Sequence, residues 1–289
     1  MRDPFIAVLP YGHHLGPQLA QMPLAALHWP LGVPEGLTGT VADLTQADHL
    51  LVFPKTSMHL KWRWGTRAKV SLMVVEPRLI HARHLQALRL THRRFYRVFT
   101  HDAATLAGLP NARFLPAAST WVPDYDGLDL TKTANVSLIA SARRDQEGHR
   151  LRHAVVDAAR AQGLDMQVMG RGYAPFEHKS EGHAPYRFSV VIENLRAPGY
   201  FTEKLIDALL CESVPIYWGA PDVAEHIDAA GMIVCTSEAE IVQAVRGADA
   251  ELFEIMRPAL LLAKVQAEAL RDYRIQAART LCDEARAGT

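Results

Sequence analysis

Cysteine is scarce in this 289-residue sequence: Cys211, Cys235 and Cys282 are an odd number with no CxxC spacing. Nothing in that pattern suggests a disulfide framework or a zinc site, and the usage fits a reducing compartment. Long apolar runs are missing too. None approaches the roughly 18–20 residues needed to span a bilayer, and the opening MRDPFIAVLPYGHH turns polar too soon for a signal peptide. The expectation is a soluble, cytoplasmic protein with no transmembrane segment. Any membrane association would be peripheral, at the inner face of the plasma membrane. An excess of one sign of charge is also absent: Lys+Arg and Asp+Glu number 31 each, for a formal net charge of zero. That balance gives no electrostatic reason to expect nucleic acid or an anionic membrane as the main partner. There is no internal repeat, no low-complexity tract, and no clustering of the histidines.

What is present is a sequence of ordinary globular composition, longer than the roughly 100–200 residues of a usual single domain, so two domains are expected. Short β-branched or apolar runs alternate with longer helical stretches, the pattern of an α/β protein with parallel sheets. The strands expected in the first half are 5–10, 49–53, 70–75, 96–100 and 113–116. Those in the second half are 136–140, 166–169, 188–192, 214–218 and 232–235. Residues 121–134, WVPDYDGLDLTKTA, have neither period and read as an inter-domain linker. Residues 148–163 read as a helix, with Leu151, Val155, Val156 and Ala159 on one face. Ser237 with Glu240 is a capping-box signal for a helix through about Val245. From 250 to 287 the chain is helix-forming, broken near Pro258. The domains are thus expected at 1–122 and 135–250, with 251–289 as terminal helices able to pack back on the first domain.

Residues 186–221, YRFSVVIENLRAPGYFTEKLIDALLCESVPIYWGAP, carry the chemistry. A buried strand ends in Glu193-Asn194, a loop with Pro198 and Gly199 follows, and Thr202 opens a helix with Glu203 and Lys204 in its first turn. A second buried strand then stops at Gly219. In open α/β sheets ligands bind where such strands end, and a helix N-terminus favours an anion such as a diphosphate. Lys204 opposes the helix dipole. Either a phosphate sits at the helix start, or Lys204 points to solvent and pairs with Glu203 or Asp207. Glu193-Asn194 likewise reads as a site or as a turn.

The IEN, YFTEKLIDALL and VPIYWG segments resemble the donor-binding signature of glycosyltransferase family 10, the α-1,3/4-fucosyltransferases. The Ala- and Arg-rich composition points to a bacterial version. The resemblance implies a GT-B-like arrangement of two Rossmann-like domains with a C-terminal helical extension. It also implies GDP-fucose as donor substrate, held mainly by the C-terminal domain, with no cofactor and no metal. In that reading Lys204 is a diphosphate ligand and Glu203 lies on the ribose or guanine side. Asn194 and Tyr200 lie near the sugar and phosphates, and Glu193 supports the pocket. The family also places an arginine of the donor domain's first helix on the diphosphate; Arg152 is favoured here, with Arg143, Arg144 and Arg150 as competitors. Lys179, Tyr186 and Arg187 would shape the base pocket, with strand-entry packing as the alternative for Tyr186.

Inverting transfer needs a base for the acceptor hydroxyl. Glu76 ends the apolar run 70–75, precedes Pro77, and resembles the family's strand-end glutamate, its alternative being a cap-like Glu at the start of the helix through Leu90; Asp102 is second choice, its alternative also a helix cap. Tyr11, His13, His14 and His101 are candidates for acceptor contacts, and Trp62, Trp64 and Trp121 for sugar stacking or buried packing. The function expected is fucose transfer to a glycan acceptor, a cell-surface polysaccharide or lipopolysaccharide. The alternatives are a related transferase using another sugar nucleotide and a non-catalytic two-domain binding protein. The loop Leu195-Arg196-Ala197-Pro198-Gly199 lacks the polar residues common in fucosyltransferases, which bears on the sugar more than on the nucleotide.

Overall fold

A computed structural model describes residues 3–287 of the chain; residues 1, 2, 288 and 289, which the expected domain spans include, lie outside it. The chain divides into two compact units, 1–117 with 273–289, and 118–272.

Unit 1 holds a parallel sheet of β1 (Ile6–Val8), β2 (His49–Val52), β3 (Lys69–Val74), β4 (Val98–Thr100) and β5 (Ala112–Phe114), in that spatial order. Helix α1 (Arg78–Thr91) follows β3 and α2 (Ala103–Gly108) follows β4. β1 to β4 are buried on both faces, as a sheet covered on both sides requires, while the edge strand β5 carries Arg113 and an exposed Phe114. Ala7, Leu50, Val52, Leu72, Val74 and Val98 enter one core and Ile6, Val8, Leu51, Met73 and Phe99 another.

Unit 2 holds β6 (Ala134–Ile139), β7 (Gln167–Met169), β8 (Tyr186–Ile192), β9 (Val214–Trp218) and β10 (Ile233–Val234), all parallel, in the order β10-β9-β8-β6-β7. Its helices are α3 (Glu147–Ala161), α4 (Glu203–Leu210), α5 (Glu238–Gly247) and α6 (Ala250–Leu270). The sheet grows one way from β6 to β7 and the other way from β8 to β9. Right-handed crossovers therefore put α3 and α4 on opposite faces. α4 is buried nearly all round, Leu205 to Leu210, because it lies between the sheet and α6.

The ten strands fall where the apolar runs predict them. Three sequence readings are corrected. Residues 121–134 are not a free linker: Val122 and Tyr125 are buried in the unit 2 core, with Leu128 and Leu130 packed against it. The helix at 250 runs through Pro258 without a break and ends at Leu270. Its buried stripe, Phe253, Leu260, Ala263 and Ala267, holds it together although proline removes one helical N–H. The break comes at Arg271-Asp272 instead, so 251–289 is not one extension: α6 belongs to unit 2. The last helix, α7 (Tyr273–Ala287), belongs to unit 1, where Ala277, Ala278 and Leu281 complete the core around Met73 and Phe99.

Candidate functional site

The reversal of strand order in unit 2 lies between β6 and β8, and open α/β sheets bind ligands at the carboxyl ends of strands at such a point. Three features meet there: the loop 140–146 after β6, Glu193-Asn194 after β8, and the start of α4. The approach of α3 to β8 is close enough to need glycine. A Cβ on Gly148 would stand 1.7 Å from the Glu193 carbonyl oxygen, and the Gly148 N–H donates to the Asn194 carbonyl at 2.9 Å.

Glu193 is wholly buried. Its carboxylate accepts from the Thr202 N–H at 2.8 Å and from the Thr202 hydroxyl at 2.7 Å, which fixes the end of β8 to the N-cap of α4. Lys204 Nζ lies 3.5 Å from Glu193 Oε2 and 3.1 Å from Glu203 Oε1, and donates to Thr202 Oγ1 at 2.9 Å. Burial alone would draw the Lys204 ammonium down, but the Glu193 and Glu203 charges overbalance it and hold it above its ordinary range. For Glu203 burial pushes upward, and Lys204 and Lys179 together bring its carboxyl down to about 2. Lys204 therefore takes neither of its two sequence readings whole: it pairs with carboxylates as the bland reading had it, yet faces inward.

Asp207, read from the sequence as a surface partner for Lys204, is fully buried. It pairs with Lys179 at 3.0 Å and accepts from the Thr120 hydroxyl at 2.7 Å and the Trp121 N–H at 3.0 Å. Lys179 also reaches Glu203 at 3.6 Å and lies over the exposed Trp121 ring, 4.7 Å from its centroid. Lys179, Asp207 and Thr120 are thus site residues that sequence reasoning underrated. They lie 28 to 87 residues apart, and only a buried acid on an otherwise apolar helix signalled them.

Arg152 is buried under the same strand end. Its Nε donates to the Ile192 carbonyl at 3.0 Å, Nη2 donates to that carbonyl and to Asn194 Oδ1 at 3.0 Å, and Nη1 has no protein partner among the described residues. Burial pulls the guanidinium below its usual range, countered by Glu193 and Glu203. Buried Tyr200 lies close enough to act on the same charge. Its loop is anchored by Asp222, whose carboxylate accepts from the Gly199 N–H at 2.8 Å. Arg143, Arg144 and Arg150 are exposed on or beside the loop 140–146, with Arg150 donating to the Arg144 and Asp145 carbonyls. The structure thus brings together Arg152, Glu193, Asn194, Tyr200, Glu203 and Lys204. Among the described residues no three His, Cys, Asp or Glu side chains converge as a metal set.

In unit 1, Glu76 is exposed in the bend between β3 and α1, at the carboxyl edge of the sheet. Asp102 is committed elsewhere: it caps α2, accepting from the Thr105 N–H at 2.8 Å and hydroxyl at 2.7 Å. It also accepts from Arg78 Nε at 2.9 Å and from Arg78 Nη2 at 2.7 Å. His101 is buried, which lowers it to about 4 and keeps it neutral.

The fold defines a class first. A glycosyltransferase from Rickettsia africae aligns with a TM-score of 0.56 and 10% identity, over 83% of this chain and 77% of that one. An alpha-glucosyltransferase in complex with UDP-glucose and DNA containing an abasic site aligns at 0.52 and 11%, over 84% and 82%. At that identity the likeness is one of fold, and it is the GT-B fold with two Rossmann-like units. The sequence then narrows the class: residues 130–238 match the family model of glycosyltransferase family 10 (fucosyltransferase) C-term. The alpha-(1,3)-fucosyltransferase FucT of Helicobacter pylori is 42% identical over 52 residues, 18% of this chain and 11% of that relative. The chain thus spans about a tenth of that relative's length. The family 10 resemblance is shown for the stretch that contains every residue of the unit 2 site except Thr120 and Trp121. Among the described residues no helix is long and apolar enough to cross a membrane.

Proposed function

We propose that the chain is an inverting, metal-independent glycosyltransferase that moves fucose from GDP-fucose to a hydroxyl of a glycan acceptor. The observation that carries this reading is the buried Glu193–Thr202–Lys204 network, set at the strand-order reversal inside the family 10 segment. Lys204 and the Nη1 edge of Arg152 bind the donor diphosphate, and Arg143, Arg144 or Arg150 supplies further positive charge, since Lys204 is already matched by carboxylates. Glu203 serves the ribose or guanine side, and Asn194 and Tyr200 lie toward sugar and phosphate. Glu193, spent on Thr202 and Lys204, holds the pocket. As the acceptor oxygen attacks the anomeric carbon, Glu76 takes its proton, and the bond to the diphosphate breaks with its electron pair leaving on GDP. Fixed cations aimed at that developing charge can lower the barrier without a metal. The acceptor is a cell-surface polysaccharide or lipopolysaccharide glycan, and the reaction is cytoplasmic.

The apolar donor loop Leu195–Gly199 favours a second reading in which the nucleotide chemistry is kept but another sugar is carried. Calorimetry with GDP, GDP-fucose, UDP and CMP in the presence of EDTA separates them. Metal-free binding of GDP and GDP-fucose is expected; preference for UDP or CMP would overturn fucose, and no nucleotide binding would overturn the enzyme. Glu76→Gln should abolish transfer while GDP binding stays near normal. Full turnover in that variant would remove Glu76 as the base.

A further inference from the structure

The zero net charge of the chain conceals a segregated segment. Residues 49–101 contain eleven Lys and Arg and a single acidic residue, Glu76. Some of these cations are spent inside unit 1: Arg97 pairs with Glu284 at 2.7 Å and Arg78 with Asp102 at 2.7 Å. Arg63, Arg67, Arg83, Arg89 and Arg93 are exposed and enter no ion pair among the described residues. Lys61 is exposed beside them, its ammonium donating to the Leu15 carbonyl at 3.4 Å.

Among these charges stand three apolar side chains that the fold leaves in solvent: Leu60 is 71% exposed, Trp62 94% and Leu90 90%. Their exposure is imposed by well-anchored backbone. Arg94 donates from Nε to the Met58 carbonyl at 3.2 Å and from Nη2 to the Lys61 carbonyl, and lies 5.5 Å from the Trp64 ring centroid. Trp64 stacks on buried Phe95 at 5.4 Å. Beyond it Gly65, at φ 74°, lies so close to the chain that a Cβ would meet the Gly16 carbonyl oxygen at 2.1 Å. Loop residues 58–64 are therefore pinned on both sides of Trp62. The His59 ring bonds the Thr91 hydroxyl at 2.8 Å, which brings this loop to the last turn of α1, where Leu90 projects. α1 kinks at His81, and the ten residues beyond it to Thr91 run about 15 Å. This end of α1 is thus well removed from the end that carries Glu76-Pro77.

We propose that this end of unit 1 docks on an anionic lipid surface, with Trp62, Leu60 and Leu90 entering the interfacial layer and Lys61, Arg63 and Arg93 on the headgroups. Tryptophan prefers the membrane interface, and cations beside inserted apolar groups add attraction to anionic lipid. A single-stranded nucleic acid would use the cations and stack on Trp62, but it gives Leu60 and Leu90 no partner. The inference does not rest on the donor reading, since none of these residues belongs to the unit 2 site. It also reverses what the balanced total charge implied.

Cosedimentation of the full chain with phosphatidylcholine vesicles, with and without phosphatidylglycerol, tests the docking. Binding is expected only with phosphatidylglycerol and should be released by raised ionic strength. Trp62→Ser with Leu60→Ser, and separately Arg63→Ser with Arg93→Ser, should each weaken it by about tenfold or more. Leu262→Ser, on the exposed side of α6 in unit 2, should leave it unchanged, and all three variants should bind GDP as the parent does. Equal binding to pure phosphatidylcholine, no binding to either vesicle, or full binding by the Trp62/Leu60 variant would overturn the proposal. Displacement of the protein from vesicles by sub-stoichiometric single-stranded DNA would also overturn it, in favour of nucleic acid.

Discussion

Lys204 has two tasks in the proposed site, and alanine at that position removes both. In the free protein its ammonium stands 3.5 Å from Glu193 Oε2, and Glu193 has no exposure to water. At that separation the attraction is about 5 kcal/mol for an effective dielectric of roughly 20. Removing one partner of a buried pair costs about 3–5 kcal/mol, an upper bound here because Thr202 still donates to Glu193 and Arg152 still faces it. For a unit of this size that is a fall in Tm of roughly 10 °C. The same substitution removes a charged donor from the diphosphate, which should weaken GDP binding by about 10- to 100-fold. A second change separates the two effects: Glu193→Gln removes the orphaned charge and keeps a side-chain oxygen for Thr202. In urea titrations the double variant Glu193→Gln/Lys204→Ala should recover more than half of the stability lost by Lys204→Ala alone, while its GDP affinity by calorimetry stays low. Equal stability of single and double variants would show that Lys204 does not hold Glu193. Recovered GDP affinity in the double variant would show that Lys204 merely neutralises Glu193 and does not touch phosphate.

The low Glu203 carboxyl, at about 2 against an ordinary 4.5, gives a pH prediction for unit 2. A depressed carboxylate adds stability above its unfolded value, and that stability is lost as pH falls from about 4.5 toward 2. Comparing parent and Glu203→Gln by urea titration should show the difference between them shrinking across that window. A difference constant with pH would contradict the ion-pair account. Gly148→Ala should cost about 1–3 kcal/mol or more, because its Cβ meets backbone that cannot step aside, and it should weaken GDP binding as the end of β8 shifts. Gly247→Ala, whose Cβ meets nothing within 4 Å, is the matched control and should be neutral by thermal melting.

The fold was legible from the central strands because each is a short, mostly buried apolar run bounded by polar or turn residues; β9 falls at Val214–Trp218 as read. The helix ends were legible where a side-chain cap marks them. Ser237 accepts the Glu240 N–H, although the Glu240 carboxylate reaches back one residue further, to the Thr236 N–H at 2.7 Å and hydroxyl. What local pattern could not give is which distant residues meet. Tyr125 sits in a segment rich in Asp, Gly and Pro, so its burial depends on unit 2 packing that no local period encodes. Pro258 ends a helix by local propensity, yet the apolar stripe on both sides of it wins. The same limit holds at the site. Glu193, Asn194, Glu203 and Lys204 are contiguous enough to be read as one motif, whereas the Lys179–Asp207–Thr120 set exists only after the chain has folded.

The chain leaves unit 1 after Ala117 and returns to it at Tyr273, so unit 2 is a contiguous insertion and unit 1 is not. This sets an order of events on the ribosome. Unit 2 has all its residues once Asp272 has emerged. Unit 1 must wait for Ala277, Ala278 and Leu281 of α7 before the face formed by Ile6, Val8, Met73 and Phe99 is covered. At about 5–20 residues per second, synthesis of the inserted unit lasts roughly 10–30 s. For that interval the part of unit 1 already made carries an open apolar sheet face. Helix α7, made after unit 2, is thus the closing step of a unit begun before it, and chaperone dependence during translation should centre on that exposed face.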